Sequence, residues 1–219
     1  MSAGSHRVFV TGGTGYVGRP LITQLLERGH EVQALVRPGS ERKLPAGCQA
    51  VSGDALDGKS YASKVAPADT FVQLVGVAHP SPSKAADFRN IDLASGRSGV
   101  EAAKNAGVRH FVYVSVAHPA PVMKAYIEVR SQCEAMITQS GMDATILRPW
   151  YVLGPGHRWP YFLIPIYKFM ELLPSTREGA NRLGLVTLDQ MVRALVEAVE
   201  TQAHGVRIVE VPHIRALSS

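Results

Sequence analysis

The sequence predicts an α/β fold: one parallel sheet, doubly wound, with helices on both faces. Three observations lead there. Short apolar runs alternate with amphipathic stretches along most of the chain. Several runs are almost continuously hydrophobic, as strands covered on both faces must be. A glycine-rich turn joins the first run to the first amphipathic stretch. Right-handed crossovers complete the double winding.

Taken in order, Arg7 to Thr11 (RVFVT) is a buried strand. Val17 to Arg28 is a helix in which Leu21, Leu25 and Leu26 share a face, and Gly29 stands where it stops. Pro20 falls in its first turn, where a missing N–H does least harm. Glu31 to Arg37 is the second strand, Gln49 to Gly53 a short third, and Asp69 to Ala78 (DTFVQLVGVA) the fourth. Phe88 to Ala106 reads as a helix, His110 to Val116 as a strand, and Lys124 to Ser140 as a helix closed by Gly141. Asp143 to Leu153 opens as a sixth strand, which Pro149 ends. After Gly154 the rhythm breaks: Trp159 to Leu173 is apolar, aromatic and interrupted by Pro160 and Pro165. Thr187 to Thr201 is an amphipathic helix with Leu188, Met191, Val192, Leu195 and Val199 on one side, and Val206 to Val211 is a last strand.

A length of 219 residues suits a single domain spanning 1–219, with 154–186 as a reduced cap on the substrate side. Such a chain needs no disulfide or metal staple. Cys48 and Cys133 are far apart, lack metal-ligand spacing and read as free thiols, and no metal is expected. The net charge of +5 and pI near 9.4 come from scattered basic residues without a nucleic-acid motif, so nucleic acid is not an expected partner. The N-terminus is short and polar, and no run reaches the roughly 18 apolar residues of a membrane span, so a cytoplasmic protein is expected.

Residues 11 to 18 read TGGTGYVG. Gly12, Gly15 and Gly18 are spaced as Gly-x-x-Gly-x-x-Gly, directly after a strand and before a helix. Such a turn brings backbone N–H groups and a helix dipole against a pyrophosphate, with no side chain in the way. This is the signature of a Rossmann-type dinucleotide site. Thr11, Gly13, Thr14, Tyr16 and Val17 complete the loop expected to hold it. Nineteen residues past Gly18, where a carboxylate would bond a ribose 2′-hydroxyl, stands Arg37, followed by Arg42 and Lys43. A guanidinium pairs with a 2′-phosphate, which favours NADP over NAD. Asp54 and Ala55, in GDALD, are candidates to meet the adenine, with a helix N-cap as the alternative for Asp54. Val75, Gly76 and Val77, ending the fourth run, are further cofactor candidates.

The chain resembles the short-chain dehydrogenase/reductase superfamily, specifically atypical members related to the extended, epimerase-type branch. The residues that carry the resemblance are TGGTGYVG, GDALD, VYVSV, a tyrosine-bearing helix, ILRPWYVLGPG and GLVTLDQMVRAL. The resemblance implies a tyrosine that transfers the substrate proton, a lysine four residues later that holds the nicotinamide ribose, and a serine that steadies the substrate oxygen. Tyr126 matches the tyrosine, Arg130 stands in place of the lysine, and Ser115 matches the serine loosely, 11 residues before Tyr126. Arginine can hold a ribose but cannot shuttle a proton. Tyr126 also falls on a stripe with Val129, Cys133 and Ile137, so a buried structural tyrosine is the alternative. By the same resemblance the backbone at Pro149 and Trp150 runs beside the nicotinamide, and Arg148 is either a site residue or a surface ion pair. His79, His118 and His157 each follow a predicted strand and are candidates for the substrate pocket, with plain loop histidines as the alternative.

Two classes follow. One is an NADPH-dependent oxidoreductase, or a dehydratase or epimerase relative, acting on a small organic molecule. The other is a non-catalytic NADP(H)-binding redox sensor or accessory subunit. A monomer or homodimer is expected in either case.

Overall fold

The computed structural model describes residues 4–120, 122–155, 179 and 182–217. Seven parallel strands form the central sheet: β1 (Arg7–Thr11), β2 (Glu31–Val36), β3 (Gln49–Ser52), β4 (Thr70–Gln73), β5 (His110–Val114), β6 (Asp143–Arg148) and β9 (Val206–Glu210), in the order β3-β2-β1-β4-β5-β6-β9. The winding direction reverses between β1 and β4, so the crevice at their carboxyl ends is where such a sheet binds ligands.

Each face has its own core. On one, α1 (Gly18–Glu27) and α5 (Leu188–Glu200) bury Leu21, Leu25, Met191 and Leu195 against Val8, Val10, Val72 and Val112. On the other, α3 (Ala94–Asn105) and α4 (Lys124–Ser140) bury Ala103, Cys133 and Ile137 against Phe9, Phe71, Phe111 and Ile146. The strands alternate between these sets with the period of two that a pleated sheet requires. Phe9, Phe71 and Phe111 are in register on β1, β4 and β5, and their rings stack at 5.3 and 5.1 Å.

Several elements differ from the sequence expectation. β4 ends at Gln73, well before Ala78, because the chain leaves the sheet and Val77 donates its N–H to the Asp92 side chain. The helix expected from Phe88 is present, but α2 (Ala85–Asp87) leads into a π-helical turn, Phe88–Leu93, before α3. A two-stranded parallel pair, β7 (Tyr151–Leu153) and β8 (Leu185–Thr187), lies outside the main sheet. The last strand turns directly into α6 (Val211–Ala216), with proline at its start. α5 opens on a capping box: Gln190 donates its backbone N–H to the Thr187 hydroxyl, and its side chain accepts from the Thr187 N–H. The aromatic stretch Trp159 to Leu173, and His157 before it, lie outside the described residues. No helix among the described residues is long and apolar enough to cross a membrane, and none of their His, Cys, Asp or Glu groups could hold a metal.

At the amino end of β5, His110 is 1% exposed, with Nε2 3.0 Å from the Thr145 hydroxyl. Burial lowers its pKa to about 4.

Candidate functional site

The glycine loop leaves β1 and enters α1 in a tight turn, with the Gly15 N–H donating to the Gly12 carbonyl at 3.0 Å. Gly12 has φ +75°, and a Cβ there would lie 2.9 Å from the Leu74 carbonyl carbon at the end of β4. A side chain at Gly18 would run into the Gly12 carbonyl oxygen. The two strands and the helix thus approach as closely as backbone allows. α1 has no side-chain N-cap and no acid in its first turn, so its amides and positive dipole end are offered outward. These features fit a dinucleotide diphosphate.

A cleft of about 350 Å³ opens over this loop, lined by Gly12, Thr14, Arg37, Asp54, Ala55, Val75 and Gly76 among others. Seven of the residues expected to touch a cofactor therefore share one cavity. Ser40, Lys43 and Ile91 join them. Arg37 and Lys43 are exposed cations at the far rim, beyond β2. Asp54 caps its own turn, accepting the Leu56 N–H at 3.0 Å, and it stays exposed at the cleft edge. A second cavity, of about 300 Å³, is lined by Arg7, His30, Glu31 and Gln49 at the amino ends of the strands, the pole opposite to the loop.

Three other loop residues brace the turn from behind. Thr11 is fully buried and donates its hydroxyl to Gln73 Oε1 at 2.5 Å. Val17 packs on the α1 core, and the Tyr16 hydroxyl lies against Gly154. Trp150 meets Tyr151 edge-on at 5.5 Å, and the Pro149 carbonyl accepts the Ala117 N–H at 2.9 Å, tying the ends of β5 and β6 together.

Tyr126 and Arg130 are brought together. The guanidinium lies 5.0 Å from the centroid of the Tyr126 ring, whose other neighbour is Phe88 at 4.9 Å. Burial raises the Tyr126 pKa above 10; Arg130 opposes that shift and Asp92 adds to it. The terminal nitrogens of Arg130 are engaged inside the protein: one donates to Val114 O at 2.8 Å and the Tyr113 hydroxyl at 3.2 Å, the other to Asp92 Oδ1 at 2.5 Å. Its Nε is buried and reaches no acceptor among the described residues.

Ser115 belongs to a neighbouring cluster. Its hydroxyl donates to Glu134 Oε1 at 2.5 Å. Arg148 grips the same carboxylate through Nε at 3.1 Å and a terminal nitrogen at 2.5 Å, and His118 Nε2 lies 3.6 Å from Oε2. Arg148 is thus in an ion pair, with its side chain 17% exposed. His79 is exposed on the loop after β4, with φ +51°.

Sequence reasoning missed Asp92, Gln73 and Glu134. Glu134 had a signal: Tyr126, Arg130 and Glu134 are spaced by four on one helix and share a face. Asp92 had a weaker one, a lone acid between Ile91 and Leu93. Gln73 sits in an apolar strand and gave none.

Topology, glycine loop and cleft together define a dinucleotide-binding α/β domain. A family model described as NAD(P)H-binding matches residues 12–157, and the chain belongs to that family, in the atypical branch of the short-chain dehydrogenases/reductases. It is 29% identical over 226 residues to the 3-diazoavenalumate denitrifying reductase of a Streptomyces species, covering 91% of this chain and 74% of that one. It is 29% identical over 150 residues to the photosystem II assembly factor Ycf39 of Synechocystis, covering 65% of this chain and 44% of the relative. Among solved structures, the Bordetella bronchiseptica enzyme WbmH in complex with NAD+ matches with a TM-score of 0.70 and 25% identity, over 93% of this chain and 75% of that one.

Proposed function

We propose that this protein is an NADPH-dependent oxidoreductase that reduces a small organic substrate, with Tyr126 as the proton donor. The observation that carries this reading is Tyr126 packed against a fixed cation at the carboxyl end of the sheet, in a chain whose relatives include reductases. The bound cofactor supplies the two electrons. Burial keeps the phenol protonated, the form needed to donate as oxygen on the substrate gains charge. Arg130 remains a cation beside it and stabilises the phenolate left behind. Ser115 serves this reading less directly, since Glu134 holds its one hydroxyl proton. Arg37, with Ser40 and Lys43 nearby, supports the phosphorylated cofactor, because a cationic rim pairs with a 2′-phosphate.

A second reading, a non-catalytic NADP(H)-binding sensor or assembly subunit, is favoured by the internal pairing of Arg130 and by the similarity to an assembly factor. Cofactor fluorescence titrations followed by a carbonyl-substrate screen decide between them. For the enzyme, NADPH binds more tightly than NADH and Tyr126→Phe lowers turnover by roughly 100-fold or more. Binding without turnover across the screen establishes the sensor instead.

A further inference from the structure

We propose that Asp92 and Arg130 are positioning residues for the dinucleotide: a buried bracket that fixes the Val75–Val77 wall of the cleft, with Arg130 acting through that wall and not on the ligand. The proposal rests on the cleft being the cofactor site.

Three elements distant in sequence meet here. Arg130 comes from α4, Asp92 from the π-helical turn, and the wall from the chain leaving β4. Asp92 uses both carboxylate oxygens: Oδ1 accepts from Arg130 at 2.5 Å and Oδ2 from the Val77 N–H at 3.0 Å. The charges are withdrawn from water, with side-chain exposures of 7% for Arg130 and 0% for Asp92. Gly76 lies between them and the cleft. A side chain there would run into an Arg130 terminal nitrogen, and its Cβ would lie 3.0 Å from Asp92 Oδ1. Gly76 lines the cleft together with Val75, so the guanidinium and the cavity meet at the same glycine.

The bracket is also joined to the phosphate loop. Thr11 donates to Gln73, Gln73 Nε2 to the Ser95 hydroxyl at 3.2 Å, and Ser95 to the Asp92 carbonyl at 3.2 Å, all of them buried. One continuous polar chain therefore runs from the start of the glycine loop to the wall opposite. π-helical turns recur where a helix must aim a residue that α geometry would misplace, and this one carries Asp92.

Stability alone does not account for the pair. A buried ion pair gains little over apolar residues of the same volume. Apolar residues, however, cannot receive the Val77 N–H or hold the wall against Gly76.

The test compares wild type, Asp92→Asn, Arg130→Lys and the apolar double variant Asp92→Leu/Arg130→Met. It uses NADPH and NADH fluorescence titrations, thermal unfolding, and hydrogen exchange at the Val77 amide. Each variant is expected to bind both dinucleotides about tenfold more weakly or worse, in line with the loss of a charged hydrogen bond. The double variant should do so with a near-normal thermal midpoint and faster Val77 exchange. Should it fail to fold, Asp92→Asn alone decides, read as the affinity of its folded fraction. Wild-type affinity in the double variant, or tighter binding in Asp92→Asn as the arginine is freed to reach the ligand, overturns the proposal. If wild type binds neither dinucleotide, the cofactor reading falls and this one with it; wild-type binding with unaffected variants overturns this one only.

Discussion

The two ends of the cleft are built on opposite principles. At the β2 end, Arg37, Lys43 and Asp54 are exposed side chains on loops, held by local backbone turns. Behind the other end, Asp92 and Arg130, with Ser115 and Glu134 in the cluster beside them, are buried, and each is bonded to a residue from another element. An open rim can trade charges with little effect on the fold. A closed polar interior cannot, because each group removed leaves its partner in a medium that solvates it poorly. Substitutions at the rim should therefore change affinity and spare folding, whereas removing one partner of an interior pair should cost folding stability, with affinity lost as well at Asp92 and Arg130.

The largest expected effect is at Glu134. Glu134→Ala leaves the Ser115 hydroxyl without its acceptor and Arg148 with Glu210 alone, 3.6 Å away, and should lower folding stability by about 3 kcal/mol in urea unfolding. A loss under 1 kcal/mol would remove the contrast between the two ends. Next comes acid, which acts at His110, away from both ends. The neutral ring in the folded chain takes a proton only near pH 4, whereas the unfolded chain does so near 6.5. Stability is thus complete above about pH 6.5 and declines as pH falls towards 4, by about 3 kcal/mol in all. His110→Gln should flatten that slope in unfolding curves at pH 7 and pH 4.5. At the rim, Arg37→Ala should weaken NADPH by about tenfold while leaving NADH affinity and the thermal midpoint unchanged. Equal losses for both dinucleotides would show that the arginine does not read a phosphate. The smallest effect is expected at Asp54, where Asp54→Ala removes one exposed turn bond and should shift stability by under about 1 kcal/mol.

The same contrast governs what could be read from the sequence. The glycine loop was legible because its demands are local: a positive φ at Gly12 and close approach at Gly18 select glycine wherever the fold is used. The position of Arg37 on the cleft was legible because it is fixed by a short count from that loop. The pairing of Asp92 with Arg130 spans 38 residues, and nothing in helix periodicity announces it. The periodicity even misleads, since a π-helical turn looks like ordinary helix in sequence. β4 was overextended for a related reason: Leu74 to Ala78 is apolar enough for a strand, yet Val77 spends its N–H on a side chain. The β7–β8 pair and α6 went unread because three-residue strands and a six-residue helix carry too little pattern.

The stacked phenylalanines mark one level across three strands. Two residues beyond Phe9, Phe71 and Phe111, on the same face, come Thr11, Gln73 and Tyr113, again side by side. Two further on are Gly13, Val75 and Ser115, where the strands give out. The sheet is graduated like a ruler: a row of rings, a row of polar groups, then the strand ends. A slip of one residue in any of these strands would turn its marks to the wrong face. The aromatic row is thus the datum from which the height of every group beyond it on these strands is measured.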